Sequence, residues 1–209
     1  MLKALDADNN PLTVEYDRLG RRKKMTSADI GTKEWWYDKA GNVVMESDSE
    51  LARKGKRINY HYDGLNRLIK IEYPFSLATE YEYGAYSATP RSDLAAGRVT
   101  KLTDESGTTV YQYGSLGQVT EETRTINLLP LSGGRSKIAT MRYHSDYLGR
   151  METIEYPDGE VVTYGYDYGG QITSVTGNRK GTIFPYVKTI GYDEYGQRIF
   201  IEYGSGVKS

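Results

Sequence analysis

The sequence has no cysteine, and only two histidines, three phenylalanines and two tryptophans occur among its 209 residues. The absence of cysteine excludes a disulfide framework and a metal site built from thiolates. No run of about 18 apolar residues is present, which argues against a membrane-spanning helix. Residues 1–11 also lack the apolar stretch of a secretory signal peptide. Because 27 basic residues oppose 28 acidic ones, the net charge is −1, whereas an electrostatic nucleic-acid binder is clearly basic. We therefore expect neither membrane insertion nor a nucleic-acid partner.

The chain is instead rich in tyrosine and glycine, with 20 and 23 residues respectively. Each tyrosine ring can bury on the order of 150–250 Å², so the tyrosines supply apolar area that the scarce phenylalanines do not. The composition therefore predicts a globular protein whose core is built largely from tyrosine.

A six-residue motif, Tyr-Asp-x-x-Gly-Arg, recurs along the chain with variations. Seven clear copies begin at Tyr16, Tyr37, Tyr62, Tyr113, Ser145, Tyr166 and Tyr192. A degenerate copy at 93–98 keeps only Gly97 and Arg98. Counted at the glycine position, the copies are 21, 25, 31, 20, 32, 21 and 26 residues apart. Such self-similarity at a short period is the signature of a repeat protein.

Each copy of the motif predicts a tight hairpin turn. Its aspartate stands at the first turn position, where the carboxylate can accept a backbone N–H. Its glycine stands three residues later, where a type I turn followed by a G1 bulge requires positive φ. Asn66 replaces this glycine in the third copy, and asparagine is the next residue most tolerant of that conformation. The other turn residues are Asp17, Gly20, Arg21, Asp38, Gly41, Asp63, Arg67, Gly117, Asp146, Gly149, Arg150, Asp167, Gly170, Asp193 and Gly196.

Apolar and tyrosine residues alternate ahead of each turn, as in Ile58, Tyr60 and Tyr62, and this period predicts a β-strand. After the turn the apolar spacing becomes three, as in Leu68 and Ile71, so we expect a bulge that shifts the phase of the strand by one residue. Tyrosines in register on neighbouring strands are expected to form stacked ladders.

The predicted fold is all-β, with tandem β-hairpin repeats forming a curved, open antiparallel sheet. We expect a single array of about eight hairpin units over residues 1–209, with one helical turn within 47–56. Insertions are expected near 45–57, 74–96, 127–137 and 177–188. The third of these is rich in turn formers around Pro130 and predicts a surface loop.

A Tyr-Asp-x-x-Gly-Arg motif at about 20-residue spacing, preceded by alternating tyrosines, resembles the RHS/YD-repeat family over residues 14–204. The family's arginine is matched by Arg21, Arg67, Arg98 and Arg150. It is replaced by Asn42, Gln118, Gln171 and Gln197, which keeps the turn but predicts weaker pairing with the motif aspartate.

Members of this family are β-sheet ribbons that spiral into a hollow shell. In bacterial members, including the toxin-complex cocoon subunits, the shell encloses a toxin, and in the animal teneurins a similar barrel belongs to a cell-surface adhesion receptor. The resemblance therefore implies a segment of a spiral β-shell that encapsulates or presents a toxin or effector polypeptide. The implied partners are the remainder of a longer RHS protein or a polypeptide cargo. The implied location is secreted or cell-surface associated in a bacterium, and cytoplasmic before export.

The resemblance does not imply catalysis by the repeats. The family's core segment carries an Asp-Pro self-cleavage site, and no Asp-Pro dipeptide occurs in this sequence, so self-cleavage is not carried over. We expect a segment of a longer protein or a short stand-alone relative.

Other candidate sites have less support. His144-Ser145-Asp146 contains the residue types of a hydrolase triad, but neighbouring strand residues point to opposite faces, so we interpret it as a strand and turn. The motif aspartates are each alone in a turn and lack the dense acidic loop of a calcium site. No catalytic residue, metal or cofactor is predicted. Trp35 and Trp36 place an indole on each face of a strand, where they either pack or stack on a sugar or partner.

Two functional hypotheses follow. The first is a structural shell wall without catalytic activity, and the alternative is a carbohydrate- or cell-surface-binding adhesion module rich in tyrosine and tryptophan. Unpaired edge strands also predict association into a homo-oligomer.

Overall fold

The computed structural model describes residues 2–5, 10–85, 94–128 and 135–209. In this part of the chain the protein has 17 strands and one short helix. The ladders between consecutive strands are antiparallel, and the predicted all-β hairpin fold is therefore confirmed. The loop predicted around Pro130 lies outside the described residues.

The described residues divide into two compact units, one lying within residues 1–82 and 102–105 and the other within residues 83–101 and 106–209. The strands of the first unit are β1 (Leu2–Leu5), β2 (Pro11–Tyr16), β3 (Arg22–Ser27), β4 (Gly31–Tyr37), β5 (Val43–Asp48), β6 (Ile58–Tyr62), β7 (Leu68–Glu72) and β8 (Thr79–Tyr83), whose last residue belongs to the second unit. β9 (Val99–Asp104) has residues in both units. The strands of the second unit are β10 (Gly107–Tyr113), β11 (Val119–Asn127), β12 (Ser136–Ser145), β13 (Met151–Glu155), β14 (Glu160–Tyr166), β15 (Ile172–Arg179), β16 (Thr182–Tyr192) and β17 (Arg198–Tyr203).

Within each unit the strands form a meander, in which every strand pairs with the one that follows it. β1 to β8 pair in sequence in the first unit. β10 to β17 do the same in the second. The turns of the motif therefore lie side by side along one edge of each meander, two strands or roughly 9.6 Å apart.

The helix α1 (Ser49–Arg53) lies between β5 and β6 in the first unit. This confirms the helical turn predicted within 47–56. Asp48 caps its N-terminus, because the carboxylate accepts a hydrogen bond from the Leu51 N–H at 2.8 Å. Ser49 Oγ accepts a hydrogen bond from the Thr32 N–H at 2.6 Å, which joins the helix to β4.

Each unit has a tyrosine face and a charged face, because successive residues of a strand point to opposite sides of the sheet. In the first unit Tyr60 and Tyr62 lie opposite Ile71 and Leu68 on the tyrosine face, while His61 lies between them on the charged face. In the second unit the tyrosine face carries the pairs Tyr164–Val175 and Tyr166–Ile172.

Few side chains of the described residues are deeply buried. The buried hydrophobic residues are Ala95, Val162 and Ile201, and most strand residues are half-buried. Stability in each unit therefore depends on contacts between neighbouring hairpins, and these contacts centre on the motif.

Candidate functional site: the motif turns and the tyrosine face

The motif turn is closed by its backbone and by its aspartate. In the third copy the Asn66 N–H donates to the Asp63 carbonyl at 3.0 Å, and the Asp63 N–H donates to the Arg67 carbonyl at 2.9 Å. The Asp63 carboxylate accepts from the backbone N–H groups of Leu65 at 2.8 Å and Arg67 at 3.0 Å. The carboxylate thus satisfies two N–H groups that the turn would otherwise leave to water.

The residue that ends each turn has the left-handed backbone conformation that the motif predicts. Asn66 has φ of 60°, and the glycine of the second copy, Gly41, has φ of 96°. The others are Gly20, Gly97, Gly117, Gly149, Gly170 and Gly196, all with positive φ.

A β-bulge follows every clear copy of the motif. In the third copy His61 pairs with Lys70 and Tyr62 pairs with Leu68, so Ile69 is the additional residue. The same register shift occurs after the other six turns. The extra residue explains why Leu68 and Ile71, three apart, both face the tyrosines, and the predicted phase shift is confirmed.

The motif arginine pairs with the aspartate of its own turn. Arg21 and Arg150 each place Nε 2.6 Å from the second carboxylate oxygen of Asp17 and Asp146, and Arg67 does the same to Asp63 at 2.7 Å. These backbone and side-chain hydrogen bonds hold the pKa of these three aspartates below the ordinary value. The backbone N–H of the arginine makes the largest contribution to the lowered pKa of Asp17 and Asp63.

Replacement of the arginine has different consequences in different copies. Asn42 still donates through Nδ2 to Asp38 at 2.9 Å, and this bond is the main reason that the pKa of Asp38 is lowered. In the fourth copy Gly114 stands where the aspartate would be, and the Gln118 side-chain oxygen accepts from the Leu116 N–H at 3.0 Å instead. Glutamine has therefore taken over the capping function of the missing aspartate.

Five motif tyrosines each bond their hairpin to the preceding one. The Tyr62 hydroxyl donates to the Val43 carbonyl at 2.9 Å, and Tyr166 donates to the Met151 carbonyl at 2.8 Å. Equivalent bonds join Tyr37 to Arg22, Tyr113 to Val99 and Tyr192 to Ile172. In every case the acceptor is the first residue after the six-residue motif of the earlier copy, so the bond repeats with the array.

An arginine of one copy also lies over the tyrosine ring of the next. The guanidinium carbon is 4.5 Å from the ring centroid in Arg21–Tyr37 and 4.8 Å in Arg150–Tyr166, within the range of a cation–π contact. Arg98 and Tyr113 make the same contact at 5.6 Å. Stacking of tyrosine on tyrosine was the predicted contact, and in these three pairs the ring lies against arginine because the preceding turn projects its arginine onto that position.

Carboxylates are also embedded in the tyrosine faces. Burial, with the nearby Glu46 carboxylate as the next cause, raises the pKa of Tyr60, and Glu46 forms an ion pair with Lys33 at 3.2 Å. In the second unit the Tyr186 hydroxyl donates to Glu160 at 2.6 Å. These faces therefore present phenol rings with acidic groups between them.

The two tryptophans lie on opposite faces of β4, and a cation covers each indole. The guanidinium of Arg22 is 4.5 Å from a Trp35 ring centroid, and that of Arg57 is 4.9 Å from a Trp36 ring centroid. Both indoles are half-buried, so each takes part in packing, and stacking of either ring on a ligand stays a prediction.

The most exposed aromatic rings lie instead at the tips of the motif turns. Tyr147, Tyr168 and Tyr195 have relative exposures of 85%, 112% and 79%. Leucine occupies the tip in other copies, as in Leu19, Leu65 and Leu116, and these are also exposed. A row of apolar side chains thus follows the turn edge of each unit.

The hydrolase-like residues do not converge. Ser145 pairs with Met151 at the end of β12, and Asp146 is held by Arg150 and by the backbone of its own turn. The described residues contain no cluster of three or more potential metal ligands among His, Cys, Asp and Glu. None of their helices is long and apolar enough to cross a membrane.

The sequence profile of the RHS repeat matches residues 93–125. This segment of the chain is similar to an RHS repeat. The matched segment spans β9, β10 and most of β11, and the predicted resemblance to the RHS/YD-repeat family is confirmed. No protein with a curated description matches the sequence.

The fold is similar to that of solved toxin complexes. The match to a TcdB2–TccC3–Cdc42 crystal structure has a TM-score of 0.80 at 18% identity and covers 94% of this chain. The match to TcdB2–TccC3 without its hypervariable C-terminal region has the same values. A Photorhabdus luminescens Tc holotoxin pore matches with a TM-score of 0.61 at 16% identity over 93% of this chain. The chain spans 10% of the first two chains and 11% of the third, so the likeness concerns the fold of a segment.

Proposed function

We propose that this chain is a structural wall segment of an RHS-type β-shell that encloses or presents a polypeptide, and that it has no catalytic activity of its own. The observation that carries this proposal is the repeated hydrogen bond between hairpins, which five motif tyrosines make to the preceding copy. Contacts of this nearest-neighbour kind add up along an array and suit a wall that extends by repetition. The toxin-complex fold of the similar structures supports the same function.

The test uses the natural polypeptide that contains this chain, treated with a protease before and after mild denaturation. An enclosed polypeptide should survive in the intact protein and be cleaved once the wall is opened. The separately expressed polypeptide is the control, because it should be cleaved at once. Equal rates of cleavage inside the intact protein and alone would contradict the proposal.

A second candidate function is carbohydrate or cell-surface binding, and the exposed rings of Tyr147, Tyr168 and Tyr195 favour it. Aromatic faces open to solvent are able to stack on sugars, whereas Trp35 and Trp36 are covered by arginines. A glycan array should then show binding that is lost in Tyr168→Ala and Tyr195→Ala and kept in Trp35→Phe. If no glycan on the array binds, the second function is contradicted and only the structural proposal is left.

A further inference from the structure

A cavity of about 380 Å³ opens on the tyrosine face of the second unit, between the turns of the fourth and fifth copies of the motif. Its lining includes Gln118, Val119, Glu122, Tyr143, Ser145 and Met151. The volume is within the range of small-molecule pockets, and the lining combines apolar side chains with a carboxylate, an amide and hydroxyls.

The cavity lies where the regular array places an arginine and a tyrosine. In the other clear copies a tyrosine precedes the turn, and Tyr37 and Tyr166 each lie under the arginine of the preceding copy. Ser145 stands at this tyrosine position in the fifth copy, and Gln118 stands at the arginine position of the fourth. Both members of the pair are therefore replaced by smaller side chains at the same place.

Gln118 does not fill the space, because it is needed in its own turn. Its side-chain oxygen accepts from the Leu116 N–H at 3.0 Å. This oxygen replaces the aspartate carboxylate, which is absent because Gly114 stands at the aspartate position. The three replacements at Gly114, Gln118 and Ser145 thus act together, and their joint result is a vacated ring position.

Groups that would receive a phenol remain in place around this position. In the regular copies the tyrosine hydroxyl donates to the first carbonyl after the preceding motif, as Tyr62 does to Val43, and Val119 is the equivalent residue here. Met151 lies opposite Ser145, where it would pack against the ring. Glu122 lies 3.4 Å from the Tyr143 hydroxyl, and burial followed by this carboxylate raises the pKa of Tyr143.

We propose that this cavity binds a 4-hydroxyphenyl ring, with the ring between Val119 and Met151 and its hydroxyl donating to the Val119 carbonyl. The source that we infer is a tyrosine side chain of a bound polypeptide, and this part rests on the proposed function. The site would then hold one residue of a cargo by the contact that the array otherwise makes with itself.

The first test fills the cavity from within. Ser145→Tyr restores the motif, and we expect its midpoint of thermal unfolding to rise by about 2–4 °C, the shift that roughly one additional hydrogen bond and ring contact give in a chain of this size. Ser145→Ala is the matched control, because it leaves the cavity open and should not raise the midpoint. A lower midpoint in Ser145→Tyr would show that the space does not fit a ring and would overturn the proposal.

The second test titrates N-acetyl-tyrosine amide, N-acetyl-phenylalanine amide and 4-methylphenol into the isotope-labelled chain and follows its amide NMR signals. The tyrosine amide should shift the signals of Val119 and Met151 and bind about fivefold more tightly than the phenylalanine amide, the ratio that one hydrogen bond gives. Ser145→Tyr should abolish these shifts and Ser145→Ala should keep them.

The controls distinguish a ring that comes from a tyrosine of a polypeptide from a ring that comes from a small phenol. Binding of 4-methylphenol but not of the tyrosine amide would overturn the assignment to a polypeptide. Absence of any shift at Val119 and Met151, or equal binding to Ser145→Tyr, would overturn the site itself. Because neither test requires an enclosed cargo, failure of the shell proposal would be seen separately in the proteolysis experiment.

Discussion

At the scale of the residue, the important feature of the motif tyrosine is the hydrogen bond from its hydroxyl to a carbonyl of the preceding hairpin. A phenylalanine in its place would keep most of the ring packing and lose only the bond to the preceding hairpin. Phenylalanine could not make the bond that Tyr37, Tyr62, Tyr113, Tyr166 and Tyr192 each make to the preceding hairpin.

The first prediction concerns this hydroxyl. Tyr62→Phe removes the donor to the Val43 carbonyl, and we expect the free energy of unfolding to fall by about 1 kcal/mol, seen in urea titrations. Tyr168→Phe is the control, because this ring is at a turn tip and fully exposed, and it should leave stability unchanged. Equal effects of both variants would contradict a specific role for the bond.

The second prediction concerns the motif carboxylates and pH. The pKa of Asp63 is lowered in the folded protein, first by the Arg67 N–H and then by its side chain. Folding therefore gains stability above the ordinary aspartate pKa of 3.8, and this contribution is lost as the pH falls through the lowered value. Unfolding midpoints measured between neutral pH and pH about 3 should decline toward acid for this reason.

Two variants separate charge from capping at this position. Asp63→Asn keeps an oxygen for the backbone N–H groups and removes the titration, so its midpoint should depend less on pH over the acid range than that of the unmodified chain. Asp63→Ala loses both contributions and should be less stable at neutral pH. An unchanged pH dependence in Asp63→Asn would show that other carboxylates govern the acid transition.

At the scale of the element, the hairpin is set by one backbone conformation and one extra residue. The left-handed residue closes the turn, and the bulge that follows brings the next strand back into phase with the tyrosine face. Both features are local, and both recur wherever the motif does.

The third prediction compares two turn glycines that have open space around them. Gly149 has φ of 79°, and no atom lies within 4 Å of the position that an alanine methyl would occupy, so Gly149→Ala should cost about 1–2 kcal/mol through backbone conformation alone. Gly64 has equal space without a positive φ, and Gly64→Ala should be neutral or stabilise by about 0.4–1 kcal/mol. Differential scanning calorimetry of the two variants gives the comparison, and destabilisation by both would contradict it.

At the scale of the whole molecule, apolar side chains at the turn tips belong to no core. They contribute little to folding, yet they give the surface rows of leucine and tyrosine of the kind that mark interaction sites. If the chain associates, as its edge strands predict, these rows are a second surface through which we predict that it could do so.

The fourth prediction separates these two surfaces. The combined substitutions Tyr147→Ser, Tyr168→Ser and Tyr195→Ser should leave the unfolding midpoint within about 1–2 °C, since exposed side chains contribute little. Sedimentation velocity over a range of concentrations should show less association than the unmodified chain if the tips carry it. If the variant associates as much as the unmodified chain, the edge strands and not the turn tips carry the association.

The sequence by itself determined the hairpin, because its causes lie within a few residues. Asp63 and Asn66 are three apart, so a local rule for turns predicted their bonds, and the apolar spacing of Leu68 and Ile71 predicted the bulge. The all-β class followed from repeating these signals.

Only the tertiary structure decided the contacts between hairpins, since they join residues that are 14 to 20 apart with insertions of variable length between them. The arginine over the next tyrosine, the cations over Trp35 and Trp36, and the exposure of Tyr168 depend on how neighbouring turns are stacked. The cavity beside Ser145 is of the same kind. Its cause is a substitution visible in the sequence, but the space exists only because two adjacent hairpins bring Gln118 and Ser145 to one position.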